Sequence, residues 1–302
     1  MESKLRPELQ QLVQKTILLK FTLPNTPEKI NRSVHSTEND QCLTVSCSDD
    51  LAKVIYNSII DYSLGEFELK QRAYQKSLAI AIQTRLKYNP LAKTEDKIKY
   101  GFLGEVVLYS VLTCVLNAKP AIARGYFYNP LENSETKGYD SYHLLESNGN
   151  VELWFGEVKF YIDGKAAINS VMTNLSKALS DNYLEQNILA ISNQKQNANI
   201  AGSKIIDIIE AWEDCPEIRI IEEIKSRGLK FVYPIMILYQ SSKPSYEGKI
   251  SEIIDHIAVT HPTIAKSLSV NFEIFLILLP VDEVVKTKKK VIQWIESKEP
   301  LL

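Results

Sequence analysis

The chain has 302 residues, of which 45% are hydrophobic and 24% charged, and its formal net charge is −2. That is enough apolar material for one large domain or two smaller ones with a sizeable core. It excludes a polycation that holds nucleic acid by bulk charge, so any such binding needs a local basic surface or a partner that supplies one.

Four cysteines, Cys42, Cys47, Cys114 and Cys215, are scattered without a C-x-x-C pair and read as free thiols of a reducing cytoplasm. The first residues, MESKLRPELQ, lack the apolar segment of a signal peptide. The longest apolar stretch, around Phe272–Val281, contains Glu273 and falls short of the about 20 apolar residues a membrane helix needs. These features predict a soluble, cytoplasmic protein with no membrane partner.

Residues 1–50 are mixed, with a polar loop expected at 31–40. Leu51, Val54, Ile55, Ile59 and Tyr62 fall at helical spacing, with Asp49 and Asp50 as caps, and a second helical pattern runs from Tyr74 to Asn89-Pro90. Thr94 is placed as the cap of a long helix over 96–116. It carries Ile98, Phe102, Val106, Leu108, Tyr109, Leu112 and Val115 on its apolar face. Strands are predicted at 121–128, 138–145 and 151–161, with a turn at 147–150 joining the last two. A helix over 165–181 and a short strand at 187–192 follow. Helices at 203–213, 216–227, 247–259 and 281–297 and strands at 230–239 and 270–279 complete the chain. This order gives an α/β sandwich, one mixed sheet covered by helices, with a helical N-terminal section.

Chemistry concentrates in Val151-Glu-Leu-Trp-Phe-Gly-Glu-Val-Lys-Phe-Tyr161. Glu157 and Lys159 are two apart in a strand and leave the same face, while Val158 and Phe160 leave the other. The acid-x-lysine tripeptide alone is weak, because it also begins at Glu2, Glu68, Glu95, Glu135, Asp163, Glu223, Glu247 and Glu296. Context separates the Glu157 copy. It lies in a strong strand pattern and follows a strand that carries a lone acid, Asp140. A turn centred near 148–149 places Asp140 opposite about Glu157. Two carboxylates at one sheet edge repel unless a cation lies between them. Their hard oxygens favour Mg²⁺, which needs only a few carboxylates and keeps several waters.

Glu105 adds a third acid in Tyr100-Gly-Phe-Leu-Gly-Glu-Val-Val-Leu108, within an apolar helix. Gly101 and Gly104 each cost about 1 kcal/mol there relative to Ala, so packing or a close approach must justify them. A buried Glu105 needs a partner, which the metal or Lys159 would provide. In the resulting scheme Asp140 and Glu157 hold Mg²⁺, the Val158 carbonyl contributes, and Glu105 completes the shell. Lys159 orients or deprotonates water and stabilises charge on the phosphorane.

The order Glu105, Asp140, Glu157-Val-Lys159 on helix, strand, strand and helix resembles the PD-(D/E)xK nuclease superfamily. The longer strings Lys-Tyr-Gly-Phe-Leu-Gly-Glu105, Lys-Gly-Tyr-Asp140 and Leu-Trp-Phe-Gly-Glu-Val-Lys159-Phe-Tyr resemble the nuclease subunit of the Hachiman anti-phage system, the HamA-type family, over roughly Lys97 to Ala178. Residue 139 is Tyr and no Pro precedes Asp140, a departure common in the superfamily. The resemblance implies a PD-(D/E)xK-like mixed sheet flanked by helices. The implied division is an N-terminal mixed and helical region over 1–92 and a nuclease domain with a C-terminal α/β extension over 93–302. It further implies a Mg²⁺-dependent deoxyribonuclease, with Mn²⁺ as an alternative ion, cleaving DNA in a complex with a superfamily 2 helicase that restrains it. Two rivals stay open: a non-catalytic DNA-binding or adaptor subunit on the same scaffold, and a standalone restriction or repair endonuclease. The last would be expected to carry a DNA-reading domain, and none is visible.

Other residues carry blander expectations. Lys165, Asn174 and Lys177 read as a solvent-facing helix surface, Lys137 as an exposed loop lysine, and His143 as structural because it faces away from Asp140. His256 and His261 show no partner pattern. Trp154 and Phe155 read as strand packing. The Lys286 to Lys290 cluster reads as a solvated helix face, with a DNA or partner contact as the sharper alternative.

Overall fold

The computed structural model describes residues 6–22, 41–45, 47–65, 68–69, 73–147, 150–198, 203–215, 217, 219–242, 245–261 and 267–302. The expected loop at 31–40 lies outside the described residues. The N-terminal part contributes helix α1 (Pro7–Thr16), strands β1 (Ile17–Thr22) and β2 (Gln41–Val45), and helices α2 (Ser48–Ser63) and α3 (Tyr74–Thr84). The cap of α2 is Cys47, whose Sγ accepts from the Asp50 amide at 3.3 Å, and Asp49 and Asp50 fill the first turn instead.

The helix expected over 96–116 is divided. A single turn, α4 (Thr94–Lys97), precedes α5 (Phe102–Ser110), and a π-turn runs over Val111–Val115. The break falls before Gly101, the residue from which α5 starts. Thr94 does not cap α4, whose N-cap is Lys93. The strand expected at 121–128 is also absent as such. β3 (Lys119–Pro120) and β4 (Tyr128–Asn129) flank a 3-10 turn at Arg124–Phe127, and β5 (Ser134–Glu135) pairs with β4. Gly125 explains the turn, because a Cβ there would stand 2.3 Å from the Ser63 carbonyl oxygen at the end of α2. Chain that touches another backbone this closely cannot run on as a regular strand with a side chain at that point.

β6 (Ser141–Ser147) and β7 (Asn150–Phe160) form the expected hairpin with Ser141 opposite Gly156. Asp140 therefore falls opposite Glu157, and its amide bonds the Gly156 carbonyl at 2.8 Å. Helix α6 (Gly164–Ala178) starts at Asp163, whose carboxylate accepts from the Ala166 amide at 2.8 Å. Residues 187–192, expected as a strand, belong to helix α7 (Asp181–Ser192). Ser180 caps it by accepting from the Tyr183 amide, which sets Leu184, Ile188 and Ile191 on one buried face. The remaining elements lie close to expectation: α8 (Lys204–Asp214), α9 (Ile220–Ser226), β8 (Lys230–Gln240), α10 (Tyr246–Thr260), β9 (Phe272–Val281) and α11 (Val284–Ser297).

Seven strands form one mixed sheet in the order β1-β2-β9-β8-β7-β6-β3. β7, β8 and β9 run parallel at its centre, and β6 returns antiparallel to β7. β8 and β9 are near-continuous apolar runs because both faces of the sheet are covered. One layer packs α6, α7, α8, α9 and α10 against residues such as Phe155, Phe231 and Leu276. The other packs α1, α2, α3, α5 and α11 against Val158, Phe160, Met236 and Ile277. β1 and β2 extend the same sheet, and α2 shares its layer with α5 and α11. Among the described residues no helix is long and apolar enough to cross a membrane.

A proline in a central strand removes a ladder donor and normally argues against that placement. Here Pro234 sits in β8 where the pairing with β7 skips from Trp154–Val232 to Glu157–Ile235. Gly156 is the residue that faces it, and a Cβ on Gly156 would lie 2.5 Å from Pro234 Cγ and 2.7 Å from its carbonyl oxygen. Gly156→Ala is therefore expected to destabilise the protein by about 1–3 kcal/mol through overpacking. Gly248→Ala, in α10 where a Cβ meets nothing within 4 Å, should instead be neutral or gain up to about 1 kcal/mol. Urea unfolding of the two variants beside the parent chain measures both, and equal midpoints would contradict the account.

Candidate active site

The sheet brings Asp140 and Glu157 onto one face, opposite each other at the ends of β6 and β7. Asp140 Oδ2 accepts from the Val158 amide at 2.9 Å. Lys159 Nζ forms a short ion pair with Glu157 Oε1. Phe155 and Trp154 pack as expected, Trp154 edge-on against Phe275 with centroids 5.5 Å apart.

Glu105 arrives from the other layer, on the first turn of α5. Two glycines make its approach possible. A Cβ on Gly104 would touch Phe160 Cβ at 3.3 Å and Val158 Cγ2 at 3.4 Å, so α5 lies directly on β7. A Cβ on Gly101 would stand 2.9 Å from Glu105 Oε1, in the space the carboxylate uses. Glu105 is 6% exposed. Of the two partners the sequence offered, the metal or Lys159, Lys159 is not the one it meets. The Tyr62 hydroxyl, from the end of α2, donates a short hydrogen bond to Glu105 Oε2. Arg124 Nε stands 3.9 Å from the same oxygen.

Arg124 and Tyr62 are the site residues that sequence reading missed. Arg124 is buried, donates from Nη2 to the Thr136 carbonyl at 3.2 Å and lies over Phe127. Its Nε and Nη1 find no hydrogen-bond partner among the described residues. Nothing in the local sequence marked it, since a lone arginine in an apolar run carries no periodic signal. Tyr62 was visible only as a core position of its helix.

Glu105, Asp140, Val158 and Lys159 line one cavity of about 550 Å³, together with Tyr100, Gly101, Tyr161, Ile162, Val284 and Lys288. It opens at the carboxyl ends of the parallel strands β7 and β9, the usual place for a ligand in an α/β sheet. Glu157 is tied to this cavity through Lys159 rather than lining it.

Electrostatics sets the site apart. Burial, and then the Asp140 charge, pushes the Glu105 carboxyl up to about 8 despite Arg124 and the Tyr62 hydroxyl. Burial and Asp140 likewise push Glu157 up to about 7 against Lys159. Asp140 is raised by burial, opposed by Lys159 and the Val158 amide. Burial presses Lys159 toward neutrality, but Asp140 and Glu157 outweigh it and keep it an ammonium. The cations that act on the three acids are thus Lys159 and Arg124, in a largely buried place, and the raised acids remain short of positive charge.

A hard divalent cation fits that shortage and the all-oxygen donors. As the side chains lie, no group of three His, Cys, Asp or Glu among the described residues is poised to hold a metal ion. Each carboxylate is instead engaged by its own partner. Mg²⁺ asks only one or two carboxylates of the protein, so the donor chemistry fits while the full shell named from the sequence is not assembled.

The other candidates lie away from the cavity. His143 is buried on the opposite face, with Nε2 3.1 Å from Thr113 Oγ1, and burial holds its pKa down at about 3. That is a structural histidine. His256 and His261 do share a partner, the Asn169 side-chain oxygen, at 2.8 and 3.0 Å. Lys165 and Asn174 are on the exposed side of α6, and Lys177 covers the Tyr183 ring. Lys137 is exposed. Cys47, Cys114 and Cys215 are free thiols. Lys288 departs from the solvated-face reading of its cluster, since it is only 9% exposed.

The family model described as HamA matches residues 13–295. No curated protein and no solved structure matches the chain.

The raised acids make a prediction about pH. Both folded values, about 8 for Glu105 and about 7 for Glu157, lie above the unfolded value of 4.5. Their contribution to stability is therefore full below about pH 4.5 and lost as pH rises through 7 to 8. In EDTA the melting temperature should fall between pH 6 and pH 8.5, and Glu105→Gln should flatten that fall. A parent and variant with parallel pH profiles would contradict the assignment.

Proposed function

The chain belongs to the HamA family, a subunit family of the Hachiman defence system, and on that premise we propose that it is the system's nuclease. The proposed reaction is Mg²⁺-dependent hydrolysis of DNA phosphodiester bonds on a PD-(D/E)xK-like sheet. The observation that carries the reading is the cavity in which Glu105, Asp140 and Lys159 meet, with Glu157 joined through Lys159. Acids from a covering helix and from the sheet, with a lysine on β7, are the groups that phosphodiester hydrolysis needs.

Asp140, Glu105 and Glu157, with the Val158 carbonyl, are the groups that would hold the cation. When bound, Mg²⁺ supplies Lewis acidity that activates water and draws charge from a phosphate oxygen. Lys159, held charged by Asp140 and Glu157, orients the attacking water and offsets the negative charge that grows as it adds to phosphorus. Of the two roles read from the sequence, orientation and deprotonation, an ammonium fits the first. Tyr62 and Arg124 hold Glu105 in place from α2 and the 3-10 turn. A P–O bond forms to the water oxygen as the P–O bond to the departing oxygen breaks, and the proton the water gives up to solvent is matched by one the departing oxygen takes from solvent.

Free cleavage of DNA would harm the host, so restraint by a helicase partner until aberrant DNA is met completes the reading. One observation favours the rival, a non-catalytic adaptor: no three acids are gathered as a ready metal cage among the described residues.

Plasmid cleavage decides between them. The purified chain, with and without the proposed helicase partner, should nick or cut plasmid in Mg²⁺ and not in EDTA. Lys159→Ala and Glu157→Ala should each lower the rate by about 10²-fold or more, the scale of losing one charge-stabilising group. Cleavage that survives both changes would refute the site. No cleavage under any activating condition would favour the adaptor.

A further inference from the structure

The cavity wall holds two cations that the scheme above does not use, Lys99 and Lys288, and Lys99 is 72% exposed and paired with Asp96 at 2.9 Å. Lys288 comes from α11 and lines the wall beside Lys159, Asp140 and Glu105. Its Nζ lies over the Phe160 ring, 4.4 Å from the centroid, and donates to the Phe160 carbonyl at 2.6 Å. That bond uses one of three N–H donors. Among the described residues it has no ion-pair partner, although it is 9% exposed. Desolvation alone presses its pKa down to about 8. A desolvated ammonium without a counter-charge is costly to fold around, and an anion entering the cavity removes that cost.

The positive charge continues across α11. Val285 lines both this cavity and a second, more open groove of about 610 Å³, whose wall is Lys286, Lys289, Lys290, Gln240, Glu283 and Gln293. Lys286 is paired with Glu283 at 2.7 Å and Lys290 with Asp49 at 2.6 Å. Solvent screens exposed pairs of this kind, so they exchange readily for another anion. The inner end of the path is shaped for more than charge: Tyr161 and Ile162 are 41% and 56% exposed at its mouth. Exposed flat and apolar groups beside lysines suit an unpaired nucleotide strand, whose bases offer faces to stack while its phosphates meet the cations.

We propose that Lys288 is the phosphate anchor of the cavity and that Lys286 and Lys289 lead a single DNA strand to it across α11. This rests on the nuclease reading for the identity of the anion, but binding tests it without cleavage. Lys288 is a binding residue, distinct from Lys159, which acts at the reacting phosphate.

The test is fluorescence anisotropy of a labelled oligothymidylate on the full chain, in EDTA, across a salt series. Three proteins are compared: the parent, Lys288→Met, which keeps an apolar stem, and the exposed double variant Lys286→Ala with Lys289→Ala. Lys288→Met should bind about ten-fold more weakly, the scale of one charge-assisted phosphate contact. Its salt slope should fall by about 0.7, and the double variant's by about 1.4, as expected for one and two contacts on a single strand. The melting temperature of Lys288→Met should stay level or rise, because the desolvated charge is gone. If that variant fails to fold, the double variant, whose changes are on the surface, carries the test. Unchanged affinity and slope in the variants, no binding by the parent, or displacement by polyglutamate as effective as by unlabelled oligothymidylate would overturn the proposal. The two readings fail separately. A parent that binds through Lys288 but never cuts loses the nuclease and keeps the anchor. A parent that cuts through Lys159 while Lys288→Met binds normally loses only the anchor.

Discussion

The site is governed by a charge constraint. Glu105, Asp140 and Glu157 are held in a largely buried region, where the cations that act on them are Lys159 and Arg124. Carboxylates in low dielectric must gain protons, partners or a cation, and here partners go only part of the way. Lys159 is shared between Asp140 and Glu157, and Arg124 leaves two of its nitrogens without a hydrogen bond. Such a region costs stability that the rest of the fold must offset, as functional sites often do. The two apolar layers on either face of the sheet provide that offset, and they also fix where the acids stand.

Precision in that placement comes from missing side chains. Gly104 lets α5 rest on β7, Gly101 leaves room for the Glu105 carboxylate, and Gly156 accepts Pro234 alongside. The last pair interrupts the ladder one residue before Glu157, and the Gly156 carbonyl takes the Asp140 amide instead. The proline in a central strand thus stands directly beside the hairpin that carries Asp140 and Glu157. The N-terminal helices are part of the same device, because Tyr62 reaches Glu105 from α2.

Much of this was legible in the residues. The hairpin register placing Asp140 opposite Glu157 follows from strand periodicity and a turn at 147–150, and it holds. Both central strands β8 and β9 and the helices after them were readable because long apolar periods survive tertiary context. The errors share a cause. Residues 187–192 are apolar and short enough to pass for a strand, and only the Ser180 cap, set well before them, marks the helix. The run 121–128 looks extended, but the contact of Gly125 with Ser63 is a tertiary event with no local trace. Glu105 was read as an acid that would need a partner if buried, yet its partners came from elements 43 residues away in Tyr62 and from Arg124, and long-range pairings leave no spacing to read. Lys288 was hidden inside a run of lysines whose other members do face solvent.

Calorimetric titration of the metal-free chain with Mn²⁺, without DNA, tests the central claim most directly. The account predicts saturable binding at pH 7.5 that weakens about ten-fold or more in Asp140→Asn, because Asp140 is the acid whose charge acts on both Glu105 and Glu157. Absence of binding up to millimolar Mn²⁺, or binding untouched by Asp140→Asn, would contradict it.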